Sequence, residues 1–206
     1  MTRGPRLLLS LGLGVLTLGL PLMALAHSPY PGVRGFYVGA LHPLTTPAHV
    51  LLIVAVSILL GSQVREGRMR YLVTVFTATA AGLVLAFVLS GFLPSALMIL
   101  VLTTIVGALL ILPRTLPGWL LMALAGLSGF LLAMESIPDP GAFLDVLITV
   151  FGSLVGIHYL IMYGSRGAGY ALDRWDSRVT HLGFRVAGSW ISAIGVLMLA
   201  FSLSGP

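Results

Sequence analysis

The sequence predicts an all-α polytopic membrane protein, a six-transmembrane-helix bundle behind a cleavable N-terminal signal peptide. Three observations carry that expectation. The 206 residues are 58% hydrophobic and 8% charged, where a soluble domain carries about 25% charged residues. Six apolar runs follow the leader, each near the ~20 residues that a bilayer core requires. The arginines gather at the ends of those runs and favour one side, as cytoplasmic charges do. Helices or closed barrels alone satisfy backbone polar groups in lipid, so one helical bundle is the economical architecture.

The elements follow in order. Residues 1–26 have the layout of a signal peptide: the basic stretch MTRGPR, the apolar stretch LLLSLGLGVLTLGL, then Pro21 and the small-residue site Ala24-Leu25-Ala26. Cleavage there leaves His27 as the mature N-terminus, and an uncleaved anchor puts it on the same outer side. Residues 27–206 then form a single domain with helices at roughly 38–61, 71–91, 94–113, 117–134, 143–163 and 186–203. The third and fourth are the shortest. Gly91 and Pro94, Pro113 and Pro117, and Pro138 and Pro140 punctuate the joins. Short joins make consecutive helices antiparallel neighbours.

Arginine sets the orientation. With the mature N-terminus outside, the inner joins hold Arg65, Arg68, Arg70, Arg114, Arg166, Arg174, Arg178 and Arg185, and the outer side holds Arg34. This bias places both termini on the outer, periplasmic face of a bacterial inner membrane. Two stripes of small residues, Ala125-Gly129-Ala133 and Gly152-Gly156, predict close helix contacts. In the join from Ser165 to Phe184, Leu172, Trp175, Val179 and Leu182 share one helical face. Arg174, Arg178, His181 and Arg185 share another. That pattern suits a short amphipathic helix on the inner leaflet, with an irregular basic loop as the alternative.

Composition also excludes chemistry. The chain has no cysteine, so disulfides and thiolate metal sites are impossible. His, Asp, Glu and Met remain as metal-ligand side chains. The net charge of +5 comes from eleven Arg and no Lys, and its placement at helix ends argues against nucleic acid as a partner. No nucleotide, phosphate or hydrolase motif is present, and no nucleophile–base pair stands at a catalytic spacing. The chain reads as a non-enzyme with no tightly bound cofactor. Its methionines are scattered and read as packing residues.

The stretch GALHPLTTPAHVLL, Gly39 to Leu52, concentrates the polar residues. In a continuous helix His42 and His49 share a face but stand about 10 Å apart along the axis, too far to bind one ion together. Pro43 suits the first position of a helix, and Pro47 one turn later should kink it. Such a start could line a vestibule. Alternatively, His42 caps the interface and His49 hydrogen-bonds a neighbouring helix. His158 falls in the middle of the fifth run, where an ionisable group marks a site by default. Glu135 ends the fourth run at the outer interface, and Asp145 begins the fifth, where it favours the positive dipole end.

The signal ending in ALAHS, the segment GFYVGALHPLTTPAHVLLIVAVSILLG and the six-run layout resemble the HupE/UreJ family of hydrogenase and urease accessory membrane proteins. The family is thought to move nickel or cobalt across the inner membrane. Its first motif is HPLxGxDH, and His42, Pro43, Leu44 and His49 match it. Thr46 replaces the glycine and Ala48 the aspartate. Its second motif, FHGxAHGxE, is best placed on LSGFLLAME, Leu127 to Glu135. Gly129 and Glu135 match, while Ser128 and Leu132 stand where the two histidines belong. His158 also resembles a histidine common on the next helix.

The resemblance implies a nickel or cobalt permease whose metal ligands are reduced to His42, His49, Glu135 and His158, with His27 as a further candidate. The cargo is then a divalent ion and the surrounding partner a lipid bilayer. Loss of three family ligands motivates another function: a non-transporting assembly factor or small subunit docked to other membrane-complex subunits. A mature N-terminal His27 would also bind copper through its amine and ring.

Overall fold

A computed structural model describes residues 35–64, 66–89, 93–138, 141–175 and 177–204. The expected signal segment, His27 and Arg34 lie outside the described residues. Seven helices are present among those described: α1 Phe36–Thr45, α2 Pro47–Gln63, α3 Arg68–Leu89, α4 Ser95–Ile111, α5 Gly118–Met134, α6 Phe143–Arg174 and α7 Ser177–Ser204. Three of them, α3, α6 and α7, are long and apolar enough to cross a membrane. The bent pair α1–α2 would make a fourth, and α4 and α5 are shorter apolar helices of 17 residues each.

Two expectations are corrected. The first predicted helix is two helices bent by 82°. Thr46 is the break, with φ −106° and ψ 115°. A residue before proline is pushed out of the helical region, and Pro47 has no N–H to extend α1. Pro47 therefore opens α2 at its first turn, the position expected of Pro43. Pro43 instead lies inside α1. The second correction concerns the basic join. No separate amphipathic helix forms there, because α6 continues to Arg174 and α7 starts at Ser177. Trp175, Val179 and Leu182 are exposed, while Leu172 is buried.

The small-residue stripes do pack helices closely. A methyl group at Gly39 would fall on the Thr149 carbonyl oxygen, and one at Gly152 on the Phe36 carbonyl oxygen. Further along, Gly61 abuts Ser165 and Ala168. The α1–α2 unit thus advances in the same direction as α6. On the other side, Gly118 meets Tyr71, Gly129 meets Val75 and Thr79, and Gly82 meets Phe130 and Ala133, so α3 and α5 run parallel. Gly107 meets Gly188 and Ser192, and Gly195 meets Thr104, so α4 and α7 run antiparallel.

Helix α2 is the centre of the bundle. Leu52, Ala55, Val56, Leu59 and Leu60 are fully buried, and they join one core with Ile99, Val106, Leu131, Leu132, Ile157 and Ile161. The outer faces are apolar and exposed, as on α3 (Val84, Phe87, Val88) and α7 (Val196, Leu197, Phe201). Apolar exposure on this scale suits a lipid environment.

One polar clasp ties α2 to the loop before α5. The Leu116 N–H donates to Gln63 Oε1 at 2.6 Å. Gln63→Leu leaves that N–H without its partner, at a cost of about 1–3 kcal/mol. A lower Tm of the purified variant in detergent is the expected result.

Candidate metal site

The break at Thr46 folds the two histidines toward each other. His42 lies in the last turn of α1, and His49 in the first turn of α2. Their ring centroids are 5.5 Å apart, edge to face. A straight helix would have kept them two turns apart, so the bend corrects the separation of about 10 Å expected from sequence. Thr45 steadies the end of α1 by donating its hydroxyl to the His42 carbonyl at 2.8 Å.

Glu135 joins this pair from α5. It caps that helix at φ −91° and ψ 0°, and its backbone carbonyl lies 3.1 Å from His42 Nε2. A carbonyl only accepts, so Nε2 carries the proton and the Nδ1 lone pair is left for another partner. Metal-binding histidines are commonly oriented through their second ring nitrogen in this way. The Glu135 carboxylate accepts a hydrogen bond from the Ser95 hydroxyl at the start of α4. Four helix ends therefore meet at one point: the end of α1, the starts of α2 and α4, and the end of α5.

His49 is buried, at 3% exposure, and its Nδ1 has no hydrogen-bond partner. An unsatisfied buried ring nitrogen costs free energy that a partner would recover. It is the feature at this point that best fits a passing cation. Among the described residues, however, no three His, Asp or Glu side chains are grouped closely enough to hold a metal ion.

The other predicted residues divide. His158 is half-buried on α6. Its ring packs edge-on against Phe76 of α3 at 5.5 Å and against Tyr159, and its Nδ1 has no partner. It therefore takes no part in the contacts that join His42, His49 and Glu135. Ser128 and Leu132 are fully buried. The Ser128 hydroxyl donates to the Leu124 carbonyl at 2.7 Å, and Leu132 belongs to the apolar core. Ser95 was missed in the sequence, because a serine after Pro94 reads as ordinary helix-start punctuation.

The family model described as HupE / UreJ protein matches residues 15–198. The chain belongs to the HupE/UreJ family. That family is associated with nickel or cobalt uptake or with accessory roles. No curated protein and no solved structure matches the chain. Family membership joins the paired imidazoles to a metal context, which geometry alone would not supply.

Proposed function

We propose that this protein is a membrane permease for a divalent transition-metal ion of the nickel or cobalt type. His42 and His49 form the entry point, the Glu135 carboxylate stands beside them, and His158 is a separate, deeper waypoint. The observation that carries this reading is the 5.5 Å approach of the two imidazoles across the Thr46 break. Imidazole and carboxylate together suit nickel and cobalt. A full shell requires the Glu135 carboxylate to leave Ser95, or another donor to arrive. Such a site binds weakly and releases readily, which suits passage better than storage. His27, if it is the mature N-terminus, is an additional donor.

Six crossings accompany this reading. In an alternating path the first and fifth crossings run alike, the second and fourth run alike, and the third and sixth oppose. The glycine contacts of α1–α2 with α6, of α3 with α5 and of α4 with α7 follow that pattern. The arginine bias then puts the His42–His49 end outside and the Arg68 and Arg114 end inside a bacterial inner membrane, behind a signal peptide ending at Ala26. No ATP-binding motif occurs in the sequence, so the ion gradient or the membrane potential supplies the drive.

A second reading has its own observation. Ser128 and Leu132, which stand where the resemblance would put two further histidines, are buried in the core, and this supports a chain that has lost part of the ligand set. A chain of that kind would serve as an assembly factor or small subunit. Elemental analysis of cells separates the two. Expression of the protein should raise cellular nickel or cobalt above a vector control. Unchanged metal at a confirmed membrane level of protein would contradict transport and leave the assembly role.

A further inference from the structure

At the opposite end of the bundle from the histidines, a cavity of about 510 Å³ opens between α2, the α4–α5 loop and the start of α7. Gln63, Arg114, Arg178, His181 and Arg185 line it, and none of its described lining residues is acidic. An apolar groove of about 580 Å³ lies between α2 and α6, walled by Val54, Tyr159, Tyr163 and Gly167. Phe184 lines both spaces. A cationic chamber and a greasy channel therefore meet at one side chain.

We infer that this pair of spaces is a binding site for an anionic phospholipid, with the phosphate headgroup in the arginine cavity and an acyl chain along the α2–α6 groove. Two features select this occupant. Arginine side chains present forked donors that match phosphate oxygens, and basic pockets between helices take anionic headgroups. The groove supplies the second feature. Its wall is almost wholly apolar, and a methyl group at Gly167 would meet nothing within 4 Å, so the groove is open at that point. A free phosphate would use the cavity and leave the groove unfilled. A lipid uses both.

The arginine cavity lies at the opposite end of the bundle from the proposed metal entry, and lipid retention is read without reference to transport, so the two proposals fail separately. The test is native mass spectrometry of the purified full chain with equimolar phosphatidylglycerol and phosphatidylcholine. The wild type should retain phosphatidylglycerol about ten-fold more than phosphatidylcholine. Arg114→Gln combined with Arg185→Gln should bring the two lipids to parity. Gly167→Phe fills the groove without entering the core, and it should lower phosphatidylglycerol retention while the arginines remain. Inorganic phosphate in excess should not displace the lipid. Equal retention of both lipids by the wild type, no retention of either, or an unaltered preference in the arginine variant would overturn the proposal. Displacement by inorganic phosphate, or full retention in Gly167→Phe, would reduce the site to one for small anions and likewise overturn it.

Discussion

Gly39→Leu should prevent the chain from accumulating in the membrane as a folded protein. The first carbon added at residue 39 falls on the backbone carbonyl of Thr149 and comes within 2.8 Å of the Ser153 backbone nitrogen. No flexible side chain is there to yield, so α1 must separate from α6. Overpacking a well-filled interface costs typically 1–3 kcal/mol, and a clash with backbone should exceed about 3 kcal/mol. That is a large share of the marginal stability of a folded protein. Gly167→Ala is the matched control, since its added methyl group meets nothing. It should hold or slightly raise the Tm through better helix propensity, by up to about 1 kcal/mol. A Gly39→Leu protein with wild-type yield and Tm would show that the α1–α6 contact is looser than described.

The second large effect concerns His49. His49→Ala should lower nickel or cobalt accumulation on the order of ten-fold or more, since losing even an outer-shell partner of a metal ligand costs 10–100-fold. The helix should survive, because alanine is a strong helix former and the buried ring makes no hydrogen bond through Nδ1. His158→Ala should have a smaller effect, since that ring rests on Phe76 and Tyr159, outside the entry cluster. Accumulation is measured at matched membrane levels of protein. Equal losses in both variants would place His158 in the same site as His49.

Much of the fold was legible in the sequence. Three of the six expected helices, α3, α4 and α5, appear close to their expected bounds, because continuous apolar runs ended by proline and glycine leave few alternatives. Gly129, Gly152 and Gly156 pack against neighbouring helices as small-residue spacing implies. The bend was half legible. Pro47 signalled disruption, yet a kink and an 82° break look alike in sequence. The choice depends on whether neighbouring helices accept the second direction. Here Gly39 against Thr149 and Gly61 against Ala168 hold the two segments on one partner helix. The basic join was misjudged because charged residues suggested a surface element, whereas α6 and α7 continue past the apolar stretch.

The residues of the candidate site could be picked out in the sequence, but their geometry could not. His42, His49 and Glu135 were each marked by their type and by the family motif. Their meeting arises from the break at Thr46 and from the capping turn at Glu135, which presents a carbonyl to His42. Neither follows from spacing along a straight helix. Ser95 could not be singled out, because its role exists only through the carboxylate of a distant helix end.

In the proposed function His42 and His49 together receive a metal ion. X-ray absorption spectroscopy of the purified full chain loaded with nickel or cobalt addresses it most directly. Imidazole scattering should be strongest in the wild type, weaker in His42→Ala or His49→Ala, and weakest in the double variant, where, of the proposed ligands, only His158 or His27 could contribute. Scattering in the double variant equal to that of the wild type, or a loaded wild-type protein with no imidazole scattering, would contradict the two-histidine entry.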